Sequence, residues 1–270
     1  MKLSIVSNVY VKYPFEEVIK HVSQSGYEGV EIARTHPVHE LAKQDRKELR
    51  KRINDLNLNI SAIQGSTPSL ELEFAKARID LASDLDCPLV NIGPGVDVLE
   101  EETVEDSWQK IIANFKELAK YAEDKGIKVV SEAEPPTALV SGRVGKSYPR
   151  LIGTLKDMER ILNEVTAENF GILLDVGHMY VMRENPFLAI RKLGKKIFHV
   201  HIEDIFDHIH CHFAPGSGGE VDCKGILKAL ESIGYQDYLS VELANIEEPD
   251  RVALASIQYL ESLLYQLNLR

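Results

Sequence analysis

Short apolar runs rich in β-branched residues recur along the whole chain and predict eight strands. They cover residues 3–9, 29–33, 60–64, 89–92, 128–132, 171–176, 197–202 and 239–243. Several runs are almost continuously apolar, which is typical of parallel strands covered on both faces. The pattern therefore favours a parallel sheet whose two sides are both buried.

Amphipathic helical patterns separate the predicted strands. In the clearest one, between Thr103 and Gly126, the residues Trp108, Ile111 and Phe115 recur at the spacing of one helix face. The other predicted helices cover residues 14–25, 44–56, 72–85, 148–165, 186–193, 225–233 and 251–267. Glycines follow four of the helices, at the position where a left-handed residue commonly ends a helix.

Strands that alternate with helices indicate an α/β protein with right-handed crossovers. Eight such units in 270 residues fit a closed (β/α)₈ TIM barrel, as a single domain over residues 1–270, better than an open sheet. An open doubly wound sheet is the alternative, but no Gly-x-Gly-x-x-Gly motif follows any predicted strand. Nucleotide binding of the Rossmann type therefore has little support.

The composition narrows the class of protein. A net charge of −11 speaks against general nucleic-acid binding, because binding to phosphates needs an excess of Lys and Arg. No segment approaches 18 consecutive apolar residues, and no secretory signal is visible, so we expect no membrane association. Only three cysteines are present, which indicates reduced thiols. We expect a cytoplasmic protein.

Four polar residues lie at the ends of consecutive predicted strands: Glu132, Asp175, His201 and Glu242. The carboxyl ends of barrel strands carry the active site of such barrels, so these side chains should share one rim. Three converging carboxylates either take up protons or bind a cation. One imidazole with three carboxylates suits Mn²⁺, Mg²⁺ or Co²⁺, and Zn²⁺ is also compatible. The structural alternative is four separate ion pairs or hydrogen-bond acceptors.

Five further stretches carry recognisable motifs: GIKVVSE (126–132), LLDVGH (173–178), HVHIED (199–204), PGSGGEVD (215–222) and SVE (240–242). In this order and spacing they resemble the sugar phosphate isomerase/epimerase family, which has a xylose isomerase-like barrel. The later part of the chain is most similar to inosose isomerase-like and ketose 3-epimerase-like members.

The resemblance implies that Glu132, Asp175, His201 and Glu242 bind one divalent metal ion. It also implies that the two glutamates form an acid/base pair, which transfers a proton through a metal-stabilised enediolate. The substrate would be a small-molecule carbohydrate: a sugar, a sugar phosphate or an inosose-type polyol. Proteins of this type commonly form dimers, so a homodimer is one expected assembly.

Two further histidines are candidate substrate-binding residues. The resemblance makes His178 a contact for a substrate oxygen, or a ligand if a second metal binds. His212 lies in the segment after the seventh predicted strand, where it could approach substrate or metal.

Three alternatives to an isomerase remain open. A dehydratase or lyase uses related metal-assisted enolisation and differs only in its products. An apurinic endonuclease needs extra histidines after the third and fourth strands, where this chain has Gln64 and Asn91. A non-catalytic sugar-binding subunit would have no use for the four proposed ligands. The endonuclease and the sugar-binding subunit are therefore the less favoured alternatives.

Other polar clusters have a structural explanation as well as a functional one. The glycine-rich turn at 215–219 could bind phosphate or simply lead into the next helix. For the cluster of His208, His210, Cys211, His212 and Cys223, we favour a histidine-rich loop over a zinc site. Solvated or exposed loop positions are expected for a third group, which comprises Glu134, Arg143, Lys146, Arg150, His36 and His39.

Overall fold

The computed structural model describes residues 1–65, 71–94, 103–135, 151–244 and 246–270, without the side chain of Cys211. Arg143, Lys146, Arg150 and the start of the helix predicted from residue 148 lie outside the described residues.

Eight parallel strands close into a barrel. They are β1 (Lys2–Val6), β2 (Gly29–Ile32), β3 (Asn59–Gln64), β4 (Leu89–Asn91), β5 (Lys128–Glu132), β6 (Phe170–Asp175), β7 (Ile197–Ile202) and β10 (Tyr238–Val241). The first and last strands pair with each other, with Leu3 opposite Leu239, and this pairing closes the sheet. The predicted (β/α)₈ barrel is confirmed, and the predicted strands match the observed ones to within a few residues.

Helices surround the barrel. Among the described residues they are α1 (Phe15–Ser25), α2 (Lys43–Asp55), α3 (Leu72–Asp84), α4 (Val104–Glu123), α5 (Leu155–Glu164), α6 (Val176–Val181), α7 (Pro186–Leu193), α8 (Cys223–Ser232) and α9 (Pro249–Gln266). A capping box begins α4, where the Thr103 hydroxyl accepts a hydrogen bond from the Asp106 amide at 3.1 Å. The same helix buries Trp108 and Phe115, as the sequence predicts. No helix within the described ranges is long and apolar enough to cross a bilayer.

Three local differences from the sequence pattern occur near the carboxyl ends of the strands. Strand β1 ends at Val6, because residues Ser7–Tyr10 turn into a 3₁₀ helix. Strand β6 ends at Asp175, which caps α6 directly. The segment expected as a loop after β7 is an antiparallel hairpin of β8 (Asp204–Phe206) and β9 (Ile209–Phe213).

The apolar core lies mainly between the barrel and the helices. Large side chains such as Phe115, Phe170 and Leu118 are fully buried there. Inside the barrel a separate small apolar cluster consists of Ala62, Leu89, Val130 and Leu173. Strands β3 to β6 each contribute one residue to it, directly beneath the rim that carries the polar side chains.

Candidate metal and catalytic site

Four strand ends bring the predicted ligands together at one rim of the barrel. Glu132 and Asp175 are the last residues of β5 and β6, His201 lies on β7, and Glu242 follows β10. One donor atom from each of the four lies within 4.8 Å of the others. We call Glu132, Asp175, His201 and Glu242 the four-residue site.

The imidazole of His201 lies at the centre of this group. Its Nδ1 is 2.8 Å from Glu242 Oε2, 3.7 Å from Asp175 Oδ2 and 3.8 Å from Glu132 Oε1. Although His201 Nδ1 and Asp175 Oδ2 are buried, neither has a partner with hydrogen-bond geometry among the described residues. A buried polar atom left without a partner costs about 1–3 kcal/mol. Convergent donor atoms that do not hydrogen-bond to each other fit a bound cation.

Residues around the four-residue site hydrogen-bond to the other oxygen atoms of its three carboxylates. Asp175 Oδ1 accepts a hydrogen bond from the His178 amide at 2.7 Å, which caps α6 and aims Oδ2 into the site. Asn91 Nδ2 donates to Glu132 Oε2 at 2.9 Å, and Gln64 Nε2 donates to Glu242 Oε1 at 3.4 Å. The two glutamates are therefore held by amides from β3 and β4.

A fully buried carboxylate, Glu31 of β2, orients His201 from below. His201 Nε2 is 3.0 Å from Glu31 Oε2, and His199 Nε2 is 2.8 Å from the same oxygen. A proton on His201 Nε2 therefore points to Glu31, and Nδ1 of the neutral ring presents its lone pair to the four-residue site. Glu31 was not predicted as a functional residue, although it is an acidic residue inside a predicted apolar strand.

Burial and neighbouring charges shift the pKa values of the ligands in opposite directions. Burial raises the pKa of Glu132. Burial also tends to raise the pKa of Glu242, but the adjacent His201 outweighs it and lowers that pKa below its usual range. For His201, burial tends to lower the pKa, but Glu31 and Glu242 raise it well above the usual value. In the absence of an ion, a charged imidazole therefore partly neutralises the carboxylates.

The side chains of the four-residue site differ in how far they are exposed to solvent. The side chains of Asp175 and His201 are completely buried, whereas those of Glu132 and Glu242 are 10% and 13% exposed. A molecule that enters the mouth of the barrel meets the two glutamates first.

The two predicted substrate-binding histidines occupy different positions. The ring of His178 lies beside the four-residue site, with Nδ1 3.0 Å from the Ala133 carbonyl oxygen and 3.2 Å from Glu132 Oε1. His212 instead lies on β9, with Nδ1 2.7 Å from Glu203 Oε2. Burial tends to lower the pKa of His212, but Glu203 raises it to about 9. Contact with a substrate remains a prediction for both histidines.

The histidine-rich segment is a strand, and its members have separate partners. His210 and His212 both face Glu203, whereas His208 contacts the Tyr180 carbonyl oxygen and Glu220. Glu203, His210 and His212 form a second group of convergent donor atoms within 4.8 Å, which we call the hairpin cluster.

The glycine-rich turn has a structural role. The amides of Gly219 and Val221 donate hydrogen bonds to Asp204, at 2.9 and 3.2 Å. An added Cβ on Gly219 would lie 2.3 Å from Asp204 Oδ1, so only glycine fits there. These contacts favour the explanation of this segment as a turn that leads into the next helix over the explanation as a phosphate-binding turn.

Two other candidate histidines have local partners. His36 is buried and lies 3.0 Å from the Ser7 hydroxyl, so it is not the exposed loop residue that we expected. His39 lies 3.8 Å from Glu40 and belongs to none of the three groups of convergent donor atoms among the described residues, the third being Glu31, His199 and His201.

Comparison with known proteins agrees with this architecture. A family model described as a xylose isomerase-like TIM barrel matches residues 19–263. The chain belongs to this family. The resemblance noted from the motifs is therefore confirmed at the level of the family and the fold.

Curated relatives of this chain include two kinds of enzyme. A fructoselysine 3-epimerase from Shigella flexneri is 25% identical over 98% of this chain and 98% of its own length. An inosose dehydratase from Geobacillus thermodenitrificans is 22% identical over 91% of this chain and 88% of its own length. A solved D-psicose 3-epimerase with D-tagatose, from Clostridium cellulolyticum H10, superposes with a TM-score of 0.83 at 18% identity. That match covers 98% of this chain and 99% of the other, and it shows the shared fold.

Proposed function

We propose that this protein is a divalent-metal-dependent isomerase or epimerase of a sugar, sugar phosphate or inosose-type polyol. The observation that carries the proposal is the four-residue site, in which two fully buried ligands lie beneath two partly exposed glutamates. Its unpaired donor atoms fit a cation, and the similarity to a 3-epimerase supports sugar chemistry.

Each residue of the site has a proposed role. Asp175 and His201 hold the ion, together with one oxygen each of Glu132 and Glu242. A bound divalent ion would supply polarisation of a substrate carbonyl and its neighbouring hydroxyl. One glutamate removes the proton from the carbon beside the carbonyl, and the other returns a proton to the enediolate. The stereochemistry of the substrate decides which glutamate acts as the base.

The surrounding residues position this machinery. Asn91 and Gln64 fix the glutamate carboxylates through their amides, so the proton-bearing oxygens keep a constant direction. His178, beside Glu132, is placed to contact a substrate oxygen. We propose Mn²⁺, Mg²⁺ or Co²⁺ as the ion, because three of the four ligands are oxygens, with Zn²⁺ as the other compatible ion.

A dehydratase is the second candidate, and the similarity to inosose dehydratases favours it. It would use the same proton removal but expel a hydroxyl group afterwards. An apurinic endonuclease has less support, because Gln64 and Asn91 donate hydrogen bonds to the carboxylates and offer no imidazole ligand. A cytoplasmic location, a homodimer and the absence of nucleic-acid partners stay predictions.

Solvent deuterium exchange into a panel of ketoses and inososes tests the proposal, because it reports removal of a carbon-bound proton whatever the product. We expect Glu132→Gln and Glu242→Gln each to lower the exchange rate by about 10²–10⁴-fold. Glu220→Gln, which alters an acid that contacts His208, is the matched control and should keep the wild-type rate. Wild-type exchange in either glutamate variant would refute the acid/base pair.

Removal of the ion tests the proposed dependence of the reaction on a divalent metal. We expect chelation to abolish exchange and added Mn²⁺ or Co²⁺ to restore it. Full activity in protein shown to be free of metal would contradict the metal role. Detection of a dehydrated product would decide in favour of the dehydratase.

A further inference from the structure

Arg78, on helix α3, carries a buried positive charge without an acidic partner. Only 4% of the residue is exposed. Within the described part of the chain its guanidinium forms no ion pair and donates no hydrogen bond. It lies instead over the ring of Phe74, with 4.2 Å between the guanidinium carbon and the ring centroid. Arginine is almost never buried unless it is paired, because loss of hydration destabilises the charged group.

The nearby Arg46, by contrast, is fully paired. It donates to Asp84 Oδ2 at 3.0 Å and to the carbonyl oxygens of Leu41 and His39, each at 2.9 Å. Burial, together with the charge of Arg46, lowers the pKa of Arg78 to about 10, so the Arg78 guanidinium is still charged at neutral pH. The fold therefore supplies partners for one of the two arginines and leaves the donors of the other free.

Two contacts hold Arg78 at the carboxyl end of β3. Its stem packs over Gly65, where an added Cβ would lie 3.1 Å from Arg78 Cγ. Gly65 directly follows Gln64, the last residue of β3. The ring of Phe74, one helical turn before Arg78, supports the guanidinium. The buried cation is therefore held at the same rim of the barrel that carries the four-residue site.

The guanidinium lines a pocket between β2, β3 and α3 that has an empty volume of about 190 Å³. Whole small-molecule sites measure about 300–1,000 Å³, so this pocket fits one end group of a ligand. Gln64 also lines it, and its Nε2 is 3.4 Å from Glu242 Oε1, so the pocket adjoins the four-residue site. The described residues that line the pocket include no acid, and the basic ones are Arg34, His36, His39 and Arg78.

The two histidines add little positive charge to this pocket. Burial lowers the pKa of His36. Burial, and then the charge of Arg78, lower the pKa of His39. Both imidazoles are therefore mainly neutral at neutral pH, and Arg34 is exposed. Arg78 thus provides the buried, permanent charge that a ligand in this pocket would meet.

We propose that Arg78 binds an anionic end group of the substrate, which is a phosphate ester or a carboxylate. A guanidinium offers several N–H donors in a planar fork that matches either group, and a charge-assisted hydrogen bond is stronger than a neutral one. The assignment of the bound molecule as a substrate rests on the proposed function. Arg78 then determines specificity and takes no part in proton transfer.

Binding of simple anions to the metal-free full-length protein tests the pocket without reference to catalysis. Inorganic phosphate and acetate are the two probes, and calorimetry measures their affinities. We expect one of them to bind the wild type, and Arg78→Met to weaken that binding about 10–100-fold. Phosphate binding indicates a phosphate ester, and acetate binding indicates a carboxylate. Arg52→Met, which removes an exposed arginine of α2, is the matched control and should bind like the wild type.

The stability of the same variant separates a binding role from a structural one. Methionine keeps an apolar stem over Gly65 and removes the unpaired charge, so Arg78→Met should unfold at the same or a higher urea concentration than the wild type. Arg78→Lys keeps the charge but loses the planar fork, and it provides a second binding measurement if Arg78→Met does not fold. Wild-type affinity for both probes in either variant, or no binding of either probe to the wild type, would overturn the proposal.

The exchange assay then connects the pocket to the substrate. For a ketose that carries the preferred anionic group, Arg78→Met should raise KM about 10–100-fold and leave kcat within about threefold. For the neutral ketose KM should not change. Equal KM values of wild type and variant for the anionic ketose would refute the role of Arg78 and leave the proposed reaction intact. Anion binding that depends on Arg78, without exchange into any ketose or inosose, would support the pocket and contradict the proposed function.

Discussion

Below the rim, strands β3 to β6 fill the barrel with apolar side chains, whereas the remaining strands fill it with polar ones. Ala62, Leu89, Val130 and Leu173 pack together on the first side. On the other side Glu31, His199, Ser240 and Ser4 form a chain of contacts, in which the two serine hydroxyls are hydrogen-bonded. The two halves thus support the same rim by different physical means.

The difference between the apolar and the polar half matches the kind of side chain that each places at the rim. On the apolar side, Glu132 is held by the amide of Asn91 at the rim itself and needs no support from below. On the polar side, the proposed metal binding would require His201 to present Nδ1, and Glu31 favours this by contacting the other ring nitrogen, Nε2. A histidine ligand needs its tautomer fixed, and a carboxylate ligand does not.

Glu31→Gln is expected to have the largest effect of three variants that probe this contrast. It removes the charge that two buried imidazoles face, and breaking a buried ion pair from one side costs about 3–5 kcal/mol of unfolding free energy. If His201 binds the metal as proposed, loss of the carboxylate behind it should also weaken metal affinity about 10–100-fold. Urea unfolding and calorimetric metal titration measure the two effects. Unchanged metal affinity would contradict the orienting role of Glu31.

Leu89→Ala probes the apolar half. Removal of a buried leucine side chain costs about 2–5 kcal/mol, because it leaves a cavity in the small cluster inside the barrel. Since no ligand depends on this residue for its orientation, metal affinity should stay within about threefold of wild type. A loss of affinity as large as that of Glu31→Gln would show that the two halves do not differ in the way described.

Ser240→Ala should have the smallest effect. The Ser240 hydroxyl lies 2.9 Å from His199 Nε2, and its loss removes hydrogen bonds worth about 1 kcal/mol. Glu31 still contacts both imidazoles in this variant, so metal binding should be nearly unchanged. Thermal unfolding with and without metal provides the comparison, and a tenfold loss of affinity would assign Ser240 a larger role.

The barrel and the four-residue site could be predicted because each depends on local pattern. Strand and helix periodicities are visible in short windows, and Glu132, Asp175 and Glu242 stand at or next to strand ends. Parallel strands then bring these ends together without further information. The same pattern singled out His201, the proposed ligand that lies inside a strand.

The features that were not predicted, Glu31 and the hairpin after β7, depend on contacts between distant parts of the chain. Glu31 lies 168 residues from His199, and nothing near Glu31 in the sequence indicates an imidazole partner. Polar and apolar residues are equally numerous in the hairpin after β7 (204–213), which was predicted as a histidine-rich loop. The available signal was the alternation of apolar and polar residues from Ile209 to Phe213. It was obscured because His210 and His212 face inward to Glu203, whereas Ile209 and Phe213 are exposed.

Asp175 uses its two carboxylate oxygens for different purposes: one begins helix α6 and the other faces the four-residue site. An asparagine at this position would keep an oxygen for the helix but lose the negative charge. Glutamate would keep the charge but carry the carboxylate one methylene too far to bond the His178 amide. Compared with asparagine and glutamate, aspartate alone both caps the helix and supplies a negative charge at the rim. The folding of this turn and the chemistry of the rim therefore constrain the residue type at the same position.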